Sequence, residues 1–171
     1  MLPPLRGLQM TFYRRNLPHL QRDGRRHFVT FVTRGRWILP EWARNITLES
    51  IRHDDAVRYD LDAAVVMPDH VHLILTPRID NRRHGVMPLF EIMQAIKGAS
   101  ARKISQRLEC HSAIWQEESF DRVLRSAEDN SAKVMYVLEN PIRRGLVSDW
   151  HEYKWLCHRP FPNPYEPARP T

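Results

Sequence analysis

Apolar positions change their spacing several times along the chain, and each change marks an element. His27 to Thr33 is rich in β-branched and aromatic residues and predicts a strand. After Pro40, Trp42, Ile46 and the Glu49-Ser50-Ile51 segment recur at helical spacing, which predicts a helix over Glu41 to Arg52. Arg58 to Met67 stops at Pro68 and His70 to Thr76 stops at Pro77, so two strands joined by Pro68-Asp69 predict an antiparallel hairpin. Residues 78 to 88 read as a polar loop. Leu89, Ile92, Met93, Ile96, Ala99 or Ser100, Ile104 and Leu108 then line one face of a long amphipathic helix over 89 to 108. A strand around Phe120 to Leu124 follows.

The last helix is delimited by its ends. Ser126 is an N-cap type with acids in the first turn, and proline pushes its predecessor out of the α region, so Pro141 predicts a helix over 127 to 139. The order β-α-β-β-α-β-α predicts an α+β class: a ferredoxin-like antiparallel sheet with helices on one face. Residues 1 to 26 form an arm, 27 to 158 one domain, and 159 to 171 a proline-rich extended tail, with Trp150 and Trp155 expected to pack back on the domain.

Two positions carry candidate chemistry. His70 and His72 stand two apart in an apolar strand, so both project to one face while Val71 and Leu73 face the core. Neutral imidazole is the commonest metal ligand, and the pair is half a metal site; it equally fits a strand whose polar face holds two histidines. On a wheel of about 100° per residue, Val134 and Leu138 mark the buried stripe of the last helix and Tyr136 falls about 160° from each, outside the core. Asn140 lies one turn beyond Tyr136 on the same face or just past the helix end. A tyrosine beside a carboxamide suits a nucleophile with a metal ligand on its own frame, and it also suits a surface tyrosine with an Asn cap.

Charge is unevenly placed. Residues 1 to 36 hold eight arginines against one acid, Asp23, while the other 135 residues carry 18 bases and 19 acids, so the net charge of +6 is N-terminal. Arginine outnumbers lysine 22 to 4, and guanidinium groups grip phosphates bidentately and stack on bases. Interleaved with Phe12, Tyr13 and His19, the arm has a nucleic-acid footprint, although charge alone would equally suit a solubilising tail. No run approaches the 18 or so apolar residues of a membrane span. Residues 1 to 10 are too short and proline-rich for a signal peptide, and two cysteines, Cys110 and Cys157, make no disulfide framework, so a reducing cytoplasm is expected. Each cysteine precedes a histidine, but adjacent residues rarely chelate one ion and the spacing of a zinc site is absent.

Several ordered blocks resemble one family. These are Tyr13-Arg14-Arg15-Asn16-Leu17-Pro18-His19, Phe28-Val29-Thr30-Phe31-Val32-Thr33, Met67-Pro68-Asp69-His70-Val71-His72-Leu73, Ile96-Lys97-Gly98, Trp115-Gln116, Phe120-Asp121-Arg122-Val123-Leu124-Arg125 and Tyr136-Val137-Leu138-Glu139-Asn140-Pro141-Ile142-Arg143-Arg144-Gly145-Leu146-Val147. Spanning about residues 12 to 148, they resemble the single-tyrosine HUH transposases, in the branch called REP-associated tyrosine transposases.

The resemblance implies the same ferredoxin-like fold. It implies that Tyr136 attacks a single-strand phosphodiester, forming a 5′-phosphotyrosine and freeing a 3′-hydroxyl. It also implies the substrate, single-stranded DNA beside a hairpin formed by a repetitive extragenic palindrome, and hence a nucleoid-associated place in the cytoplasm. His70, His72 and Asn140 are the expected ligands of Mg²⁺ or Mn²⁺. Arg14, Arg15, His19, Arg22, Arg25 and Arg26 are candidates for contact with a guide sequence next to the hairpin, and Lys97, Arg102 and Lys103 for hairpin phosphates. Classical insertion-sequence relatives have Gln where Asn140 stands, one methylene longer. Asp69 and Asp62 are candidates to orient the histidines, although an aspartate at a hairpin turn is more often a turn residue. The sequence is compatible with a monomer and with a homodimer.

Two other readings compete. A ferredoxin-like module could bind single strands without catalysis, though no RNA-recognition aromatic motif is present. A metal-dependent hydrolase could use bound water in place of Tyr136.

Overall fold

The structure is a computed structural model and describes residues 24–82, 84–110 and 112–159, except for the side chain of Glu128. Candidate contacts Arg14, Arg15, His19 and Arg22, and the tail from 160 onward, lie outside the described residues. The elements are β1 His27–Val32, α1 Glu41–His53, β2 Tyr59–Val66, β3 His70–Pro77, β4 Ile79–Asp80, β5 Gly85–Val86, α2 Leu89–Leu108, β6 Phe120–Val123, α3 Ala127–Arg143 and β7 Leu156–His158. Five strands form an antiparallel sheet in the order β6-β1-β3-β2-β7.

The α+β class and the order of elements along the chain match expectation, with two additions. The polar loop after β3 contains the two-residue hairpin β4–β5, and a seventh strand, β7, extends the sheet beside β2. Alternation fixes what each face carries, because directly opposed residues share a face. Register pairs Thr30 with His72 and Phe28 with Ile74 on one face, and Phe31 with Val71 and Val29 with Leu73 on the other.

The second face meets α1 and α2. Trp115 stands edge-on to Phe31 at 4.8 Å between centroids and donates its indole N–H to Ser100 Oγ of α2 at 3.0 Å. The predicted α2 stripe is buried at Ile92, Met93, Ile96, Ser100 and Ile104, but Leu108 at the last turn is exposed. Helices on one face holds for this pair; α3 instead lies over the histidine face, where Tyr136 meets Phe28 and His72.

Both faces of β3 are therefore covered, which explains its unbroken apolar run. His70 and His72 are 6% and 7% exposed and lie beneath a helix, not on an open polar face.

The start of α3 behaves as read, since Ser126 Oγ accepts from the Asp129 N–H at 3.0 Å. Ser126→Ala should lower stability by about 1 kcal/mol, as loss of an N-cap does, measured by urea unfolding. Its end differs. The expected stop at 139 gives way to a helix that runs through Pro141 to Arg143. Proline lacks an N–H and crowds the preceding turn, yet Pro141 is buried and its own carbonyl accepts from Leu146 at 2.9 Å. Packing overrides the local preference, and Asn140 is inside the helix.

At the other end of the domain the chain returns as expected for Trp155, which is 6% exposed, donates to Asn45 Oδ1 at 2.7 Å and lies under the Arg44 guanidinium. Trp150 is only partly buried, stacked on His151.

Candidate active site

β1, β3 and α3 bring four rings together. His70 and His72 have centroids 4.7 Å apart, His72 stacks on Phe28 at 5.4 Å, and Tyr136 meets His72 at 5.5 Å and Phe28 at 5.9 Å. The wheel placed Tyr136 off the core stripe, and it is partly buried beside Val134, Val137 and Leu138, which form that stripe. Asn140, one turn on, is 6% exposed, and its side-chain amide has no hydrogen-bond partner among the described residues.

Each imidazole is held by one nitrogen. His70 Nδ1 lies 2.6 Å from Asp69 Oδ1, and His72 Nδ1 lies 2.7 Å from Thr30 Oγ1, so Nε2 is the nitrogen left over on both rings. Asp69 is fixed in turn: its Oδ2 accepts from Arg36 at 3.1 Å, and its carbonyl accepts from the Thr33 N–H and hydroxyl at 2.9 and 3.0 Å. Burial works to raise the Asp69 carboxyl, but the hydrogen bond and charge of His70, with the Arg36 guanidinium, outweigh it and hold the group below its usual range. A carboxylate–histidine pair of this kind sets tautomer and orientation for a metal ligand.

His72 is kept neutral. Burial, then the neighbouring His70, Lys133 and Arg144, push it down to about 3, so its ring stays unprotonated at working pH. A neutral ring is the form that ligates metal.

Other sequence candidates sit elsewhere. Asp62 is a bulge residue in β2, where pairing shifts between Leu61 and Ala63, and its carboxylate is taken by Arg26 at 2.8 and 3.2 Å. Of the two candidate orienting carboxylates, only Asp69 meets a site histidine. Arg25 is exposed. Lys97 donates to Glu117 O at 2.8 Å and Ser119 Oγ at 3.2 Å, tying α2 to the segment before β6, and burial lowers its pKa. Arg102 and Lys103 are exposed on α2, across the sheet from the histidines.

Comparison with known proteins identifies the family. The profile of the family described as transposase IS200 like matches residues 23–137, about two-thirds of the chain. The chain belongs to the IS200-like transposase family. The match includes His70, His72 and Tyr136 and stops short of Asn140. Transposases of this family act on DNA, and this chain is one of them. Among solved structures, a REP-associated tyrosine transposase bound to a REP hairpin is 22% identical, with 86% of this chain and 82% of that one covered and a TM-score of 0.64. A putative transposase from Deinococcus radiodurans R1 is 23% identical, with 77% and 97% covered and a TM-score of 0.45. No curated protein sequence matches the chain. Among the described residues, no helix of this transposase is long and apolar enough to cross a membrane.

Sequence reading missed Thr30 and Lys133. Thr30 meets His72 only through the β1–β3 register, which no local pattern discloses. Lys133 did have a signal, its i,i+3 spacing to Tyr136.

Proposed function

We propose that this transposase cleaves and rejoins single-stranded DNA beside hairpins formed by repetitive extragenic palindromes, through a 5′-phosphotyrosine on Tyr136 and with a divalent cation. The observation that carries this reading is the contact of the Tyr136 ring with His72, one of a buried pair of histidines that are each oriented through Nδ1. The hairpin substrate is supported by the shared fold of the solved relative that holds one and by the arginine-rich arm, with Arg14, Arg15, His19, Arg22, Arg25 and Arg26 as guide contacts.

The residues present fit a metal. Two Nε2 atoms, a neutral His72 and the unpartnered buried amide of Asn140 form a nitrogen and oxygen donor set suited to Mn²⁺, with Mg²⁺ served when phosphate oxygens complete its shell. Among the described residues no three His, Cys, Asp or Glu side chains are grouped so as to hold a metal ion, and in this reading the Asn140 amide is the third protein donor. When bound, the cation supplies Lewis-acid polarisation of the phosphate and charge neutralisation at the leaving oxygen.

The chain's own groups do the rest. Tyr136 Oη forms a bond to phosphorus and gives up its proton; the bond from phosphorus to the 3′-oxygen breaks, and that oxygen takes up a proton as a 3′-hydroxyl. The phosphoryl group stays on the 5′ side, linked to Tyr136. The diester count is unchanged, so attack by a 3′-hydroxyl on this link restores DNA without ATP. Asp69 and Thr30 hold the imidazoles throughout.

Incubation with a single-stranded hairpin oligonucleotide and Mn²⁺, followed by a denaturing gel, should show a covalent protein–DNA band that chelator abolishes. Binding to hairpins with no covalent band under any metal would leave a binding module. Asp69→Asn should weaken Mn²⁺ binding by roughly 10- to 100-fold, the usual effect of losing a ligand's orienting partner. Calorimetric titration reads this, and unchanged affinity would remove Asp69 from the site.

A further inference from the structure

The helix that carries Tyr136 also carries Lys133, a cation that no carboxylate among the described residues pairs with. Lys133 Nζ lies 4.9 Å from the Tyr136 ring centroid and 4.9 Å from that of Phe28, one turn before the nucleophile. Asp129, one turn earlier, is directed to Arg122 at 3.4 Å, and Arg143, on the other side of Tyr136, is held by Glu139 at 2.6 Å. Arg143 is thus neutralised within the protein, whereas Lys133 faces the Tyr136 ring with no such partner among the described residues. Lys133 is also among the charges that depress His72, so its field reaches the histidine pair.

A partly buried ammonium with no anion of its own is completed by an anion that arrives with the substrate. Resting on the strand-transfer chemistry proposed above, we infer that Lys133 is a catalytic residue that binds a non-bridging oxygen of the scissile phosphate. During phosphoryl transfer, charge is spread over these oxygens, and a pre-placed donor there stabilises the transition state more than the ground state. The contacts with Phe28 and Tyr136 hold the ammonium beside the ring that carries the attacking oxygen. Lysine suits this task as a compact point charge with three rotatable donors.

The test uses full-length protein, a hairpin oligonucleotide carrying the cleavage position, and saturating Mn²⁺. K133M should form the covalent adduct roughly 100-fold more slowly, the size expected for one lost transition-state donor, with oligonucleotide affinity nearly unchanged. K133R should recover part of the rate. Two substrates with a single sulfur in place of either non-bridging oxygen supply a readout that a structural role would not move. The wild type should discriminate between the two stereoisomers, and K133M should lose part of that discrimination. Adduct formation by K133M at the wild-type rate, or a slow variant with stereoisomer discrimination intact, would overturn the assignment. A wild type that forms no adduct would instead overturn the strand-transfer reading, and Lys133 as a catalytic residue with it.

Discussion

Tyr136→Phe should abolish the covalent protein–DNA adduct while leaving the fold and hairpin binding in place. The substitution removes one oxygen. The ring keeps its contacts with Phe28 at 5.9 Å and His72 at 5.5 Å and stays between Lys133 and Arg143. Its hydroxyl has no hydrogen-bond partner among the described residues, so no buried donor or acceptor is orphaned by its loss. A phenylalanine ring cannot form a phosphoester, and removing a catalytic nucleophile lowers turnover by roughly 10⁴-fold or more, about 5 kcal/mol of barrier. A denaturing gel reads the adduct and a mobility-shift assay reads binding. Metal-dependent cleavage that survives in Tyr136→Phe would assign the attack to water and make the protein a hydrolase.

His72→Phe should remove metal binding and adduct formation together. This substitution preserves a planar ring beside Phe28, so the loss reports on the nitrogen and not on a cavity; truncation to alanine would add a packing cost of about 2 kcal/mol or more. Thr30 Oγ1 loses its partner at 2.7 Å, but Thr30 is only partly buried and water can replace the bond. Stability should fall by about 1 kcal/mol. Mn²⁺ affinity, in contrast, should fall at least about 100-fold if His72 is one of the three proposed protein donors. Titration calorimetry with Mn²⁺ and thermal unfolding on the same sample separate the two effects. Unchanged Mn²⁺ affinity would place the cation away from His72.

How the site assembles shows where local pattern stops being informative. The spacing of His70 and His72 puts them on one face of a strand, and the spacing of Tyr136 and Asn140 puts them on one face of a helix. Neither pattern says that the two faces meet. That meeting depends on α3 crossing the sheet opposite α1 and α2, a placement that no periodicity within α3 encodes.

Pro141 illustrates the same limit from the opposite side. Its local preference predicts a helix end at 139, and the buried pocket around it keeps the helix going to Arg143. The continuation matters for chemistry, because it keeps Asn140 in register with Tyr136 on one helical face and does not release it into a loop.

Asp62 and Asp69 were alike as sequence candidates and differ in space. A bulge in β2 turns Asp62 toward Arg26, while the hairpin turn sets Asp69 against His70 and Arg36.

The sequence by itself determined seven of the elements and their order, the α+β class, the face shared by His70 and His72, the N-cap at Ser126 and the concentration of positive charge in the arm. These depend on spacing and local backbone chemistry, both of which are written in neighbouring residues. Only the tertiary structure decided that α3 closes over the histidines, that Thr30 and Asp69 occupy their Nδ1 atoms, and that the Lys133 ammonium lies against the Tyr136 ring. Those relations join residues up to 64 positions apart, from His72 to Tyr136. They arise from strand register and from which sheet face a helix can cover, and the packing of the whole domain settles both.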